Sequence, residues 1–356
     1  MFIFNSGNKK WAKRPSLTPS TTSAIQFRHC PNARAYAANS LKLQAFSGVS
    51  PQITASLDNI TSAFDFVHPL NVSLRYTRSV IAEALADNPD LTTADFQRMI
   101  DPNNIVHGVN YNRAFIDTAW ISQEESLAWL LLNNLFAIHE GWAQRLFEDI
   151  FSGFHYTDRF IKNLEFPGLT NKFLSYYVTN GKKSVALDGA FWGVYKAKSH
   201  LDFSKLENYM LCYRYFKEAR NCYMHHNFVA SQKLIDAYND YIPVATTTDL
   251  DVSEVPEIAP PVLGQPVQLR LRDVIGFSQL VRRIIIISDI NLLCTTAAEK
   301  EFFDRTPSNW TCRTLSGNPS RAKGQINRYS EKAGFLKSQW TADYQNLLIN
   351  HGIFSL

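Results

Sequence analysis

The run SKLENYMLCYRYFKEARNCYMHHNF, residues 204–228, sets the tightest limit on what this chain can fold into. No proline falls between Pro167 and Pro243, so nothing in the backbone forbids a helix there. Ser204 with Glu207 three residues on reads as a capping box, and the spacing predicts a helix of about six turns. On a helical wheel Tyr209, Tyr213, Phe216, Ala219 and Tyr223 form an aromatic stripe that needs a core. Arg214, Glu218, Asn221, Cys222 and His225 fall on the opposite side, and Arg220 sits at the edge of the stripe. A helix with one aromatic face and one polar face demands helical neighbours.

Within that helix Arg220-Asn221-Cys222-Tyr223-Met224-His225, followed by His226 and Asn227, resembles the RNxxxH signature of HEPN domains. These are all-helical nucleotide-binding and ribonuclease modules. The resemblance is confined to about six residues and is diffuse elsewhere. It implies an HEPN-like helical bundle with a metal-independent endoribonuclease activity, leaving 2′,3′-cyclic phosphate and 5′-hydroxyl ends. It also implies that Arg220, Asn221 and His225 are catalytic, with no cofactor and no metal. The family recurs in toxin–antitoxin pairs, abortive infection and phage defence, which implies RNA as substrate and an antitoxin or regulatory partner.

The residue types suit that chemistry. A histidine titrates near neutrality and shuttles a proton at the 2′-hydroxyl or the leaving oxygen. An arginine offers a permanent charge and a fork of donors to a phosphorane. An asparagine donates and accepts, so it holds either the imidazole or the phosphate. Asn221 and His225 are one turn apart and converge, whereas Arg220 and His225 differ by about 140° around the helix. HEPN ribonucleases pool these groups across a two-fold axis, so the resemblance implies a homodimer with a composite site. His226 is the alternative imidazole. Glu218 is a possible accessory that sets the local charge, against a plainer surface pair with Arg214. The plainer reading of the whole motif is a solvated polar face on a non-cleaving RNA-binding or interaction module. Cys222, His225 and His226 on one helix lack the spaced second pair that a zinc shell requires.

Elsewhere the pattern is helical throughout, and all-α is the predicted class. Helices are expected over 72–85, from an opening at Thr92 to Asp95, and through a long segment from the capping box Ser122 to Glu125 up to Ile150. That long helix resembles the first helix of HEPN domains, and His139 and Glu140 at its middle lie either on its surface or in a cleft against the motif helix. Shorter helices are expected over 170–179, 185–197 and 232–241, a long one over 269–303, and a last one over 331–349, while residues 1–55 read as an extended or peripheral arm with room for short helices around 35–46. Residues 243–268 carry five prolines and no helical period, a loop or a lid. The expected organisation is a basic arm over 1–55, a helical extension over 56–120, an HEPN-like bundle over 121–304 and a basic helical extension over 305–356.

Charge is unevenly laid out. Residues 1–57 carry +7, residues 305–356 carry +5, and the middle carries −8. Basic ends around an acidic body suggest nucleic-acid contact through the ends, or simply solvated tails. Five cysteines without CxxC spacing argue against a disulfide framework and for a reducing compartment. No apolar leader is visible and the longest apolar run, 284–293, is too short to span a bilayer. A cytoplasmic protein without membrane contact is expected.

Overall fold

The computed structural model describes residues 51–103, 105, 108–150 and 183–356. They are mostly helical, as the periodicity requires. The expected arm up to residue 50, with its stretch 35–46, and the helix over 170–179 lie outside the described residues.

Helix α1, Pro51–Asp87, begins earlier than expected and accommodates Pro69. Its buried residues Ile53, Leu57, Ile60, Val67 and Ile81 recur at helical spacing on one face, which packs along α3, Trp120–Ile150. Between them α2, Thr93–Ile100, starts where expected, and the structure adds a capping box of Thr92 and Asp95. The box expected at Ser122 does not form, because α3 already begins at Trp120. Glu125 instead accepts a hydrogen bond from the Leu269 amide at 3.2 Å, while Arg78 Nη1 satisfies the Thr118 carbonyl at 2.9 Å.

A short helix α4, Val185–Leu187, a π-helical turn at Asp188–Trp192 and α5, Gly193–Ser199, lead to the motif helix α6, Leu206–His225. Then come α7, Gln232–Tyr241, and a single helical turn α8, Thr247–Leu250. The segment expected as a loop therefore holds a helical turn, and it is tied down. Pro256 lies on Gly276, where an added Cβ would meet its ring at 3.2 Å, and the Glu257 amide donates to Asp273 at 3.0 Å.

Helix α9, Leu271–Leu293, is the centre of the structure and is buried on nearly every side. It packs against α1, α3 and α6. Phe277 gathers the last two onto it, with ring centroids 4.3 Å from Phe216, 5.5 Å from Phe136 and 5.9 Å from Tyr213. The single helix expected over 269–303 is two. It stops at Cys294, where Thr295 turns its hydroxyl back to the Leu292 carbonyl at 2.7 Å, and α10, Thr296–Asp304, follows. The Cys294 carbonyl instead accepts the Ser184 amide at 2.9 Å.

The C-terminal part differs in the same way. The expected helix over 331–349 is replaced by α11, Pro319–Lys332, and α12, Ala342–Asn350, because Gly334 takes a left-handed conformation between them. Two-residue strands β1, Arg313–Thr314, and β2, Phe354–Ser355, pair in parallel. A second aromatic cluster fixes this part to the body, with Phe191 5.9 Å from Phe302, 5.5 Å from Phe335 and 5.3 Å from Tyr344. Among the described residues no helix is long and apolar enough to cross a membrane.

Because Phe277 joins three helices, Phe277→Ala should cost about 3–5 kcal/mol of stability, read as a lowered urea midpoint. An unchanged midpoint would show that the helices do not depend on this ring.

Candidate functional site

Helix α6 is opened by Asp202, not by Ser204. The Asp202 carboxylate accepts from the Ser204 amide at 3.0 Å and from its hydroxyl at 2.6 Å, across a single 3₁₀ turn. From there the aromatic stripe buries as predicted: Tyr209, Tyr213, Phe216 and Ala219 are fully enclosed. Tyr223 is half-buried and stacks on Trp129 of α3 at 4.8 Å. A second flank is also covered, because α7 packs beside α6. There Tyr215 meets Tyr241 at 6.0 Å, and Cys222 turns inward, buried, with its thiol 3.5 Å from the Ser231 hydroxyl. The placement of Cys222 on the polar side is thus corrected, and it is parted from the exposed His225 and His226.

The end of α6 is held by an unusual turn. Asn227 (φ 48°) and Phe228 (φ 68°) are consecutively left-handed, a conformation that asparagine tolerates and phenylalanine resists. Hydrogen bonds hold them there: the His226 and Phe228 amides both donate to the Cys222 carbonyl, at 3.0 and 3.1 Å. Beyond the turn, the Val267 amide donates to the Phe228 carbonyl at 2.8 Å and the Ala230 amide donates to the Gln265 carbonyl at 2.9 Å. The Phe228 ring packs edge-on against Tyr223 at 4.7 Å. Ser231 then caps α7 through the Leu234 amide.

Between the end of α6 and the start of α7 lies an open cavity of about 530 Å³. Glu218, Asn221, His225 and His226 line one wall, and Ser231, Gln232 and Lys233 the other. Two predicted catalytic residues, Asn221 and His225, and both accessory candidates therefore share one depression. Asn221 Nδ2 donates to Glu218 Oε2 at 3.3 Å. Arg214 pairs with Asp240 at 3.1 Å and not with Glu218, which corrects the expected surface pair. Lys233 is the residue that reading along the chain misses. Its only signal is the Ser231 cap, which starts a helix here and turns its first residues to the cavity.

Arg220 does not line this cavity. It points to α3, where Nη1 donates to Glu140 Oε1 at 2.9 Å and the guanidinium sits 5.4 Å from the Phe136 ring centre. The pair is partly exposed, 26% for Arg220 and 36% for Glu140, so it is screened and worth little by itself. Its effect is directional. One chain alone keeps the arginine and His225 of the motif on different flanks of α6.

His139 takes neither expected position, surface or cleft, but is sealed in the core between α3 and α6. It is 1% exposed, its Nδ1 lies 2.9 Å from the Tyr213 hydroxyl, and its Nε2 has no hydrogen-bond partner. Burial, with Lys217 nearby, pushes its pKa down to about 3. The folded-state value lies below the ordinary one, so the unfolded chain binds the proton first as pH falls. The stability is complete above about pH 6.5 and is lost progressively toward about pH 3. His139→Asn should flatten this dependence, by up to about 1.4 kcal/mol per pH unit, in urea unfolding near pH 7 and near pH 5. Equal slopes in the two proteins would refute a sealed imidazole.

Compared with family signatures, with characterised proteins and with solved structures, this chain matches none.

Proposed function

We propose that the chain is a metal-independent endoribonuclease of the HEPN kind, with its helical body an HEPN-like bundle. The observation that carries the reading is that Asn221 and His225 of the motif share an open cavity with His226 and Lys233. An exposed imidazole takes the proton of a ribose 2′-hydroxyl while that oxygen attacks phosphorus. The bond from phosphorus to the 5′-oxygen breaks, and the second imidazole or water protonates the leaving oxygen. Asn221, already held by Glu218, orients the reacting group. Lys233 supplies a cation beside the phosphate from the same chain.

Arg220 enters through a homodimer in this reading. Its own cavity is out of reach, but a second copy placed across a two-fold axis brings its arginine to the first copy's histidines. An RNA-cleaving protein of this type acts as a toxin or anti-phage effector, on tRNA or another cellular RNA, and is restrained by an antitoxin or regulatory partner. A second reading, a non-cleaving RNA- or nucleotide-binding module, is favoured by the engagement of Arg220 with Glu140.

Digestion of bulk RNA in EDTA separates them. The nuclease reading expects fragments with 2′,3′-cyclic phosphate ends, resistance of substrates carrying deoxyribose at the cut, and a rate about 10²- to 10⁴-fold lower for His225→Ala. RNA that is bound but never cut gives the second reading its support, and RNA that is neither bound nor cut defeats both.

A further inference from the structure

The C-terminal part carries a cluster of cations that the cavity does not use. Residues 305–356 hold seven Lys and Arg against Glu331 and Asp343. Among the described residues, Arg305 pairs with Glu301 and Lys337 with Glu331, while Arg313, Arg321, Lys323, Arg328 and Lys332 have no carboxylate within ion-pair distance. All five are exposed.

Their arrangement is ordered. At about 100° per residue, Arg321, Arg328 and Lys332 lie within about 40° of one another along α11. They form a solvent-facing flank, about 110° around the helix from the buried Ala322, Ile326 and Tyr329. The rise along the helix sets the first two about 10 Å apart and the last two about 6 Å apart. At the end of this stripe Lys332 and Arg313 both stand over the Trp310 ring, at 5.8 and 5.1 Å from its centre. The indole is fixed by donating to the Ile353 carbonyl at 3.2 Å. Nor does the helix terminus offset the charge: the first turn of α11 has no acid and contains Arg321, so its dipole adds to the positive potential. Like charges held close without counter-charge mark a surface completed by a polyanion.

We propose that this face of α11, with Trp310 and Arg313 at its end, docks an RNA strand by its phosphates. A row of cations along one helix with an aromatic ring at its end matches a phosphate backbone with a base free to stack. An anionic membrane fits less well, because α11 exposes no large apolar side chain to enter a bilayer. The inference stands apart from the cavity chemistry: a binding face can exist with or without cleavage.

The test uses the full chain and a fluorescein-labelled 2′-O-methyl oligoribonucleotide, which cannot be cut. The variant Arg321→Gln/Arg328→Gln/Lys332→Gln should bind it at least roughly tenfold more weakly, with the slope of log affinity against log salt reduced by about one per cation removed. The charge-keeping variant Arg321→Lys/Arg328→Lys/Lys332→Arg should bind nearly as the parent does. The single Arg321→Gln gives the same answer at smaller amplitude if the triple variant does not fold. Unchanged affinity and slope in the neutralised protein overturn the proposal. So does a parent protein that ignores the oligonucleotide while sedimenting with phosphatidylserine vesicles. Loss of binding here with RNA digestion absent from the parent protein upholds the docking face and removes only the nuclease reading.

Discussion

The contact between Phe216 and Phe277, ring on ring at 4.3 Å, sets the rotation of α6, and with it the address of every side chain on that helix. A helix is a rigid screw, so burying one face assigns the others. Phe216, Tyr213 and Tyr209 turn toward α9 and α3, Tyr215 and Cys222 toward α7, and the sector running from Met224 and Lys217 to Glu218, Asn221 and His225 is left to water. Arg220 falls between Tyr209 and Tyr213 in angle and so leans to α3. Glu140 receives it there. The division of the motif between two flanks is therefore a product of packing.

The same packing sorts three histidines into two chemical kinds. His139, enclosed between α3 and α6, is a neutral spacer whose proton affinity is suppressed by its surroundings. His225 and His226 stand at the rim of the cavity in contact with solvent. An imidazole that a reacting group can reach can exchange protons with it near neutral pH. Within one helical body, location decides which histidine is inert and which is available.

Much of this was legible along the chain. The stripe of Tyr209, Tyr213, Phe216 and Ala219, the bounds of Gln232–Tyr241 and the helix start at Thr92–Asp95 follow from local periodicity and local hydrogen bonding, which sequence carries directly. What failed depends on partners distant in sequence. Ser204 and Ser122 have the right neighbours for caps, yet Asp202 intercepts the first and α3 begins before the second. The apolar period runs on through Cys294, but the carbonyl there is claimed by Ser184 and the helix ends. Cys222 lies at an angle that reads as polar until α7 is known to cover it. Lys233 joins the cavity only because a tight turn brings two helices together.

That turn has a further bearing on the cavity. Helix ends ordinarily fray, and side chains on the last turn wander among many poses. Here the end is pinned from both sides, by the Cys222 carbonyl within α6 and by the strand-like bridge of Val229 to Pro266. The backbone freedom of the segment bearing the two imidazoles is surrendered during folding, so the main chain at the rim of the cavity keeps one course. The disfavoured backbone at Asn227 and Phe228 is the standing cost of that fixed course.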